Sequence, residues 1–531
     1  MSKNIVYDHD ARRALEAGMN ILARVVSITL GPKGKNVILE SGSGTPQIVN
    51  DGITIAKAIE LTDVVSNMGV MLMRQAALKT NDVVGDGTTT STVLAHAIIR
   101  EGIKAILAGG NPILIKKGID KAVNFVVSKI VEYAQPVMSI EDIIDIASIS
   151  SGNNIAVGNT IAKALKQVGR EGIISLEDGQ STITSIQLKD GMSFDQGYLS
   201  SYFLSSSSQT EIHQDNPLIL LTDKKITLVQ QELIPLLEQI AAVGRPLLII
   251  AEDIEKEALS TLILNKLKGV INVVAVRTPG FGDTKAAFLE DIAILTQATI
   301  ISDKFGLSLD HISLDYLGSA SRITIRKKST TIIAKMNTEA LSLHCHNIKK
   351  QMELTNNNHE KELLQYRLAK LSGGVAIIQV GAATEAEMID NKLRFEDALN
   401  ATRAALEEGI LPGGGSTLVH LSHDLCQWSN NHLLFDELLG AQIVVKALLV
   451  PLYTIIQNAG NNGAIIIDTL QSKSFSMGYD AENCCLINMY SAGIVDPAKV
   501  TRLALQNASS IASMVLTTEC VISKYQLQSN V

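Results

Sequence analysis

Apolar residues along the chain alternate between helical and extended spacing. One helical face is formed by Leu15, Met19, Leu22 and Val26. The pattern predicts a helix that begins near Asp8 and ends near Thr29. A glycine turn and the extended segment VILE follow, and PQIVNDGITIAKAIEL repeats the order of strand, turn and helix. Helix, glycine turn and strand therefore recur in this part of the chain.

The segment from about residue 191 to 375 has a different pattern. Strand-like stretches at 246–253, 270–280 and 298–303 alternate with helix-like ones, which predicts a separate α/β domain. At its end, Leu364, Leu368 and Leu371 share a helical face. The fold class predicted is mixed α/β and multidomain, and 531 residues at roughly 150 per domain indicate about three domains.

Composition excludes several classes of function. A net charge of -8 argues against a nucleic-acid partner, because phosphate binding needs a basic face. The most apolar run, IVVKALLVPLYTII, contains Lys446 and Pro451, so no membrane-spanning segment is expected. Five cysteines without a repeated spacing indicate a reducing compartment. The N-terminal sequence resembles neither a signal nor a transit peptide, so the protein is expected to work where it is made.

The stretch GDGTTT is the first candidate for chemistry. Gly85 and Gly87 allow close approach of the backbone to a ligand, and amides at the start of the following helix point toward an anion. Asp86 can reach a phosphate only through a cation such as Mg²⁺, with hydroxyl groups from residues 88–90 as further donors. A tight turn with a redundant cap is an equally good interpretation of the spacing alone.

Other candidates are weaker. TLGPKG is either a second phosphate loop or, more often for such turns, a plain turn, and PGGGST is a third glycine cluster or a linker. No Walker A motif occurs. Asp51 follows a strand, and Asp397 lies in a predicted helix, where a solvated polar face is the ordinary interpretation. HCH at 344–346 is not expected to bind a metal, and Cys484 and Cys485 are expected to be packing residues.

Taken together, the segments occur in an order typical of one family. They are TLGPKGKNV, NDGITIAK, NDVVGDGTTTSTVLA, GYLSSYF, PLLIIAEDIEKEAL, PGFGD, KLSGGVAIIQVGAATEAEM, EDALNATRAALEEGILPGGG, GIVDPAKVTR and TTEC. The chain resembles the group I chaperonins of 60 kDa over nearly its whole length. YDHDARRALEAGMNILA and NAGNNGAII are most similar to the cyanobacterial and plastid branch. The resemblance implies an ATP-dependent chaperone that binds non-native proteins and promotes their folding inside a ring cavity capped by a co-chaperonin.

The resemblance also implies a group I chaperonin fold of three domains. The mostly helical equatorial domain would comprise residues 1–134 and 410–531, the small intermediate hinge domain 135–190 and 376–409, and the α/β apical domain 191–375. Hinge positions of the family match Pro136, Gly191, Gly374 and Gly409.

The resemblance also implies an Mg-dependent ATPase site. Asp397 matches the catalytic carboxylate, Asp51 lies beside the attacking water, and Asp86 holds Mg²⁺, with K⁺ as an optional additional ion. The nucleotide-binding positions are Thr29, Leu30, Gly31, Pro32, Asp86, Gly87, Thr88, Thr89, Thr90, Gly414, Asp480, Ala481 and Asp496.

The apical positions implied to bind clients and the co-chaperonin are apolar. They are Tyr198, Tyr202, Phe203, Ile234, Leu237, Leu259, Ile263 and Leu264. Leu259 and Ile263 are four residues apart, and without the resemblance this helical stripe would be interpreted as core.

Four departures from the family pattern stand out. Asp480-Ala481-Glu482 replaces the usual Asn-Ala-Ala beside the adenine, Ser201 replaces a proline, residues 284–287 lack a basic run, and no Gly/Met-rich tail is expected. The first departure leaves open a passive holdase or scaffold whose ATP cycle has decayed. A metabolic phosphotransferase is a further alternative with no small-substrate motif behind it.

Partners and location follow from the resemblance. The chain is expected to assemble with itself in stacked seven-membered rings and to bind a 10 kDa co-chaperonin and non-native clients, with no nucleic acid and no membrane. The expected location is the stroma of a chloroplast that encodes the chain itself, with the bacterial cytoplasm as the alternative.

Overall fold

The computed structural model describes most of the chain. The described residues are 3–40, 46–169, 173–179, 181–189, 191–204, 211–227, 233–280, 283–302, 306–307, 309, 312–334, 339–355, 361, 363–364, 367–368, 370–371 and 375–524. The chain divides into two compact units. Unit 1 is Met1–Ala162 with Gly381–Val531, and unit 2 is Lys163–Val380.

Helices dominate unit 1 and are interspersed with strands in unit 2. The described helices are α1 (Asp8–Ser27), α2 (Gly52–Ala58), α3 (Val64–Val84), α4 (Thr88–Leu107), α5 (Pro112–Tyr133), α6 (Ile140–Ser150), α7 (Ile155–Val168), α8 (Ile234–Val243), α9 (Lys256–Leu267), α10 (Asp283–Thr296), α11 (Glu339–Leu354), α12 (Glu385–Glu408), α13 (Ser416–His432), α14 (Phe435–Leu448), α15 (Val450–Asn458), α16 (Gly463–Gln471) and α17 (Ala498–Leu516).

Strands occur in both units, and the longest described strand lies in unit 2. The described strands are β1 (Lys3–Tyr7), β2 (Val37–Leu39), β3 (Gln47–Val49), β4 (Ile173–Asp178), β5 (Ser185–Lys189), β6 (Gly191–Phe194), β7 (Glu211–Asp215), β8 (Leu218–Thr222), β9 (Lys225–Ile226), β10 (Leu247–Ala251), β11 (Asp253–Ile254), β12 (Val273–Arg277), β13 (Ile300–Ile301), β14 (Gly318–Arg326), β15 (Thr330–Ala334), β16 (Val375–Val380), β17 (Ile410–Pro412), β18 (Met477–Asp480), β19 (Cys485–Asn488), β20 (Val495–Pro497) and β21 (Cys520–Lys524).

The core of unit 1 is a packed group of helices. The helical face predicted from Leu15 to Val26 is confirmed, because its four apolar members are buried in α1. Two glycines let α1 approach α3 to backbone contact: a Cβ atom on Gly18 would lie 1.8 Å from the Ser66 carbonyl oxygen, and one on Gly69 would lie 2.2 Å from the Leu15 carbonyl oxygen. Helices this close bury apolar side chains on both flanks of the contact.

One helical stretch of unit 1, Phe435–Asn458, is long and apolar enough to cross a membrane by length and composition, which the sequence analysis did not expect. More than half of its most apolar window is buried inside the protein. Val444, Leu448 and Leu452 are fully buried in the cores of unit 1. Packing against neighbouring helices therefore accounts for the apolar character of this stretch.

Unit 2 is built on a mixed sheet. Its strand order is β12-β10-β8-β14-β15-β6, with β13 beside β8 and β7 beside β14. Strands β8, β10 and β12 are parallel and buried along their length, as expected where helices cover both faces of a sheet. The strands predicted at 246–253, 270–280 and 298–303 are present as β10, β12 and β13. A separate three-stranded sheet pairs β16 with β4 and β5.

Candidate nucleotide-binding site

A cavity of about 860 Å³ lies within unit 1. Its walls come from segments far apart in the sequence: 29–32, 50–52, 86–90, 144–155, 394–397, 414–418 and 479–504. This size is typical of sites that enclose a small molecule. All of the predicted nucleotide-site residues line it, namely Thr29 to Pro32, Asp51, Asp86 to Thr90, Asp397, Gly414, Asp480, Ala481 and Asp496.

The two glycines of GDGTTT are each required by the local structure, but next to different neighbours. Gly85 ends α3 with φ 70°, and a Cβ atom there would lie 2.1 Å from Asn400 Nδ2. Gly87 precedes α4 with φ 77°, and its Cβ atom would lie 2.5 Å from Val500 Cγ1. Left-handed backbone and close neighbours both require glycine at these positions. The tight turn that they form holds Asp86 in the cavity wall.

Asp86 is bonded on both carboxylate oxygens. Oδ1 accepts a hydrogen bond from the Gly87 amide at 2.5 Å, and Oδ2 accepts one from Ser150 Oγ at 2.9 Å. Burial raises the pKa of Asp86, these two bonds lower it, and the charge of Asp51 raises it further. A carboxylate withdrawn from bulk water in this way is stabilised by a bound cation.

The start of α4 presents free backbone donors to the same cavity. No side chain caps this helix, whose first residue is Thr88. Thr88, Thr89 and Thr90 all line the cavity. Uncapped amides and the positive end of the helix dipole favour an anionic group at this place.

Asp51 is the N-cap of α2. Its carboxylate accepts hydrogen bonds from the amides of Ile53 at 3.1 Å and Thr54 at 3.0 Å, and from Thr54 Oγ1 at 2.7 Å. These bonds fix the carboxylate at the cavity wall. The capping role and the position in the wall are compatible, since a carboxylate has lone pairs beyond those used by the cap.

Asp397 reaches the cavity from the middle of α12. Its pKa is raised well above the ordinary value, first by burial and then by the charges of Asp86 and Asp51. The side chain faces the cavity and is withdrawn from bulk solvent, so the solvated-face interpretation is excluded. Three carboxylates from three different segments therefore influence one another at this wall.

Asp496 lies in β20 and faces Gly414 and Gly415. Burial raises the pKa of Asp496 to about 7, with a further contribution from the charge of Asp86, while backbone amides of Gly415 and Gly414 lower it. Both glycines have positive φ, and they precede α13, whose N-terminus has no side-chain cap. A second set of polar groups thus lies in the same cavity.

The loop at Thr29–Pro32 is held by hydrogen bonds. Asn458 Nδ2 donates to the carbonyl oxygens of Ser27 and Leu30, both at 2.9 Å. Gly31 has φ 89° and packs against Ile455, which lies 3.0 Å from its would-be Cβ atom. The start of TLGPKG is therefore a turn, and it also lies in the cavity wall.

The hairpin β18–β19 holds Asp480 at the cavity wall and corrects one prediction, that Cys484 and Cys485 are packing residues. Asp480 lines the cavity, but its carboxylate accepts the amides of Glu482 at 2.8 Å and Asn483 at 3.2 Å, and Asn483 Nδ2 at 2.7 Å. Its side chain therefore closes the turn. Cys484 and Cys485 are exposed, not packed, because they stand in this turn and at the start of a strand that faces solvent.

The charge of the cavity wall is strongly negative. Among the described lining residues, the carboxylates are Asp51, Asp86, Asp145, Asp397, Asp480, Glu482 and Asp496, and one cation, Arg394, faces them. Arg394 pairs with Asp390 at 2.9 Å on the same helix. An anionic ligand can enter such a site only together with cations, which the carboxylates and hydroxyl groups are suited to hold.

Sequence reasoning missed several lining residues. Arg394 lies three residues before Asp397, a spacing that puts both on one side of α12, and this signal was available. Ser150 and Asn153 lie in ISSGNN, where the only signal is that of a turn.

No cluster of three or more potential metal ligands occurs among the described residues. His344 instead bonds through Nε2 to Asp291 Oδ1 at 2.8 Å, and Arg367 forms two further bonds to the same carboxylate. The first histidine of HCH therefore belongs to an ion network with Asp291 and Arg367 in unit 2.

The predicted client-binding residues of unit 2 divide into surface and core. Tyr202 is 69% exposed, Leu264 55% and Ile234 38%, while Tyr198, Leu259 and Ile263 are partly buried. Phe203 and Leu237 are 0% and 5% exposed, so direct contact with a client is corrected for these two. Phe203 turns inward from its 3₁₀ turn, and Leu237 lies on the inner face of α8.

Fold and site together define a multidomain α/β protein with a cavity for an anionic ligand and its counter-cations. The TCP-1/cpn60 chaperonin family model matches residues 22–526, and the chain belongs to this family. A curated relative, "Chaperonin GroEL, chloroplastic" from Gracilaria tenuistipitata var. liui, is 60% identical over 524 residues and is covered over 99% of both chains.

The fold has been seen in a solved structure. The crystal structure of the chaperonin gp146 from bacteriophage EL (Pseudomonas aeruginosa), determined in the presence of ATP-BeFx, matches with a TM-score of 0.70. The match covers 98% of this chain and 99% of the other, at 20% identity, and it shows the fold alone.

These findings confirm the resemblance and the fold class. The chain is a chaperonin of the chloroplast GroEL type, it has chaperonin ATPase activity, and it assists protein folding. Oligomeric rings and client proteins come with membership of the family.

Proposed function

We propose that the cavity of unit 1 binds Mg-ATP and hydrolyses it, and that turnover controls the binding and release of non-native proteins. The observation that carries this proposal is the convergence of Asp51, Asp86 and Asp397 on one wall, beside the uncapped N-terminus of α4.

The phosphates and the metal ion are assigned to the GDGTTT and TLGP segments. Asp86 holds Mg²⁺ together with phosphate oxygens, and K⁺ is an additional ion for a wall this rich in carboxylates. Bound Mg²⁺ neutralises charge on the phosphates and polarises the bond that breaks. Thr88, Thr89 and Thr90 donate to phosphate oxygens, and the loop 29–32 covers the opposite side.

Asp397 is the proposed general base. A raised pKa lets a carboxylate accept a proton from water near neutral pH, which an ordinary aspartate does poorly. Asp51, fixed by three hydrogen bonds, orients the attacking water. The base and the orienting group come from different elements, α12 and the start of α2.

The base and sugar of the nucleotide are assigned to the other end of the cavity. Gly414 and Ala481 offer a surface without bulky side chains to the adenine, and Asp496 accepts from a ribose hydroxyl group. Asp480 supports this end by closing the hairpin turn, so its replacement of a usual asparagine leaves the adenine contact to the backbone.

Three functional domains are proposed with the boundaries given by the resemblance: 1–134 with 410–531, 135–190 with 376–409, and 191–375. Gly409 has φ 85° and ends α12 where Gln135 and Ile410 exchange backbone hydrogen bonds of 2.9 and 2.8 Å, next to Pro136. Gly191 begins β6, and Gly374 lies outside the described residues. We assign these positions as hinges.

Unit 2 is proposed to bind exposed apolar segments of non-native proteins and a 10 kDa co-chaperonin. Tyr202, Ile234 and Leu264 supply exposed apolar area, and Tyr198, Leu259 and Ile263 extend it. Burial of apolar area yields about 25 cal/mol per Å² without a sequence code, which suits a broad range of clients. The rings are proposed to be seven-membered and stacked, in the stroma of a chloroplast that encodes the chain.

Steady-state ATP hydrolysis by Asp397→Asn tests the catalytic assignment. Loss of a general base lowers turnover by about 100-fold or more, whereas nucleotide binding persists because the metal ligand and phosphate donors remain. Glu385→Gln, an exposed carboxylate in the first turn of the same helix, is the matched control. Turnover that survives in Asp397→Asn would exclude this residue as the base.

The alternative of a passive holdase makes a different prediction for the unaltered protein. A holdase binds a denatured client but does not release it when Mg-ATP is added. Client release that depends on Mg-ATP and fails in Asp397→Asn would reject the holdase.

A further inference from the structure

Two turns far apart in the sequence meet at the rim of the nucleotide cavity. One turn joins α6 to α7 and contains Gly152 and Asn153, and the other joins β18 to β19 and contains Glu482. Asn153 Nδ2 donates a hydrogen bond to Glu482 Oε2 across a separation of 329 residues. Both residues line the cavity and both are exposed, so their bond lies at its opening to solvent.

The turn that carries Asn153 is held by its backbone conformation and by local hydrogen bonds. Gly152 and Asn153 both have positive φ, 79° and 66°. The Asn154 amide donates to the Ser148 carbonyl oxygen at 3.1 Å, and Asn154 Oδ1 accepts the Ala156 amide at 3.1 Å. Asparagine tolerates left-handed backbone better than most residues, so this turn can present an amide side chain toward the hairpin.

The turn that carries Glu482 is equally constrained. Asp480 accepts the amides of Glu482 and Asn483, which places the Glu482 side chain beyond the end of the hairpin. Its neighbour Ala481 is buried and belongs to the part of the cavity assigned to the adenine. A bond between two preorganised turns loses little conformational freedom when it forms.

We propose that Asn153 and Glu482 form a latch that closes the adenine end of the cavity and slows nucleotide dissociation. The proposal rests on the proposed function, because it assumes that the cavity holds a nucleotide. The α6–α7 turn also follows Ser150, which donates to Asp86. One short segment therefore contacts the predicted metal ligand at one end of the cavity and the hairpin at the other.

The latch requires a hydrogen-bond acceptor at position 482, and this requirement distinguishes it from an effect of charge alone. Glu482 acts as an acceptor, so Glu482→Gln retains an acceptor oxygen for Asn153, whereas Glu482→Ala removes it. Asn153→Asp places two carboxylates together, and Asp keeps the tolerance for left-handed backbone. The double variant Asn153→Asp with Glu482→Gln restores one donor and one acceptor in the reverse direction.

The test is the dissociation rate of a fluorescent ADP analogue, displaced by excess unlabelled ADP in a stopped-flow experiment on the assembled protein. Loss of the hydrogen bond in Glu482→Ala is expected to raise the rate about fivefold. Asn153→Asp is expected to raise it at least as much, while Glu482→Gln and the double variant stay within about twofold of the wild type. Glu141→Ala, an exposed carboxylate at the start of α6, serves as the control.

The dissociation rates distinguish failure of the latch from failure of the proposed function. If Glu482→Ala and Asn153→Asp dissociate like the wild type, the latch is wrong although the nucleotide site stands. Equal acceleration in Glu482→Gln and Glu482→Ala would assign the effect to charge and also reject the latch. If the wild type binds no nucleotide at all, the proposed function fails, and the latch fails with it.

Discussion

Asp86, Asp397 and Asp496 share an unusual electrostatic state. The pKa of each carboxyl group is raised, and in each case burial is the first cause. A folded protein that keeps several carboxylates out of water and close together is less stable than one that does not, unless a cation compensates for them. The cavity therefore carries a local instability that the proposed metal-nucleotide complex would relieve.

The pH dependence of stability should expose this state at Asp496. In the folded protein the pKa of Asp496 is about 7, against an ordinary value of 3.8. The folded state therefore binds more protons than the unfolded state between about pH 4 and 7, and stability falls as pH rises through that window. Asp496→Asn removes the ionisation, so its urea midpoint without nucleotide should exceed that of the wild type at pH 8.5 and approach it at pH 5 or below.

A control separates this effect from a general change in charge. Asp468→Asn neutralises an exposed carboxylate in α16 and should shift the midpoint equally at both pH values. A difference between Asp496→Asn and wild type that does not change with pH would contradict a raised pKa at this position. Saturating Mg-ATP is left out, because binding to the folded state alone would shift every midpoint.

At the residue level, the spacing of Leu259 and Ile263 did not fix which side of α9 is buried. Leu259 and Ile263 were proposed as a stripe, but the fully buried positions of α9 are Ala258 and Leu262, one residue earlier in each turn. In a run such as Leu262-Ile263-Leu264, apolar residues cover more than one helical face, so spacing cannot say which face is core. Phe203 and Leu237 were assigned to the client surface by the resemblance and not by spacing, and both are buried.

At the scale of elements, the turn between α3 and α4 explains why GDGTTT contains two glycines. Gly85→Ala should lower ATP turnover by about tenfold or more, since an added Cβ atom lies 2.1 Å from Asn400 Nδ2 and 3.0 Å from Asn400 Cβ, so that the Asn400 side chain or the turn must move. Movement of the turn shifts Asp86, and a small displacement of the proposed metal ligand should have a large effect on rate. Steady-state ATP hydrolysis measures this effect.

Gly244→Ala is a control with matched backbone. Gly244 ends α8 with φ 72° and ψ 14°, and Gly85 ends α3 with φ 70° and ψ 10°. A Cβ atom on Gly244 meets nothing within 4 Å. Both variants carry the left-handed strain of about 1 to 2 kcal/mol, so only the steric effect differs. Equal ATP turnover in the two variants would show that close packing at Gly85 is unimportant.

Elements were predicted well where one face is buried and poorly where function intervenes. The first helix and the strands of unit 2 follow from spacing alone. Spacing alone could not show the role of Asp397 on α12, because a polar residue on a helix has the same pattern whether it faces bulk water or a cavity. The departure at 480–482 likewise gave no sign that Asp480 closes a turn and Glu482 bonds to Asn153.

At the scale of the whole molecule, binding of clients in the absence of nucleotide should depend on the exposed apolar residues of unit 2. Tyr202→Ser with Leu264→Ser removes two of the most exposed members of the predicted client surface. Loss of this apolar area should weaken the binding of a denatured client by about tenfold or more, while ATP turnover stays unchanged. Fluorescence anisotropy of a labelled denatured client measures the affinity.

Comparison of this double variant with a single variant elsewhere in unit 2 shows whether client binding needs this particular surface or any exposed apolar residue. Ile183 is 76% exposed in the same unit but lies between β4 and β5, outside the predicted client surface, so Ile183→Ser tests a general effect. If Ile183→Ser weakens client binding as much as the double variant does, any exposed apolar group suffices, and the specific surface is wrong. If the double variant alone weakens it, Mg-ATP should still release the remaining client, because the cavity that is proposed to drive release is intact.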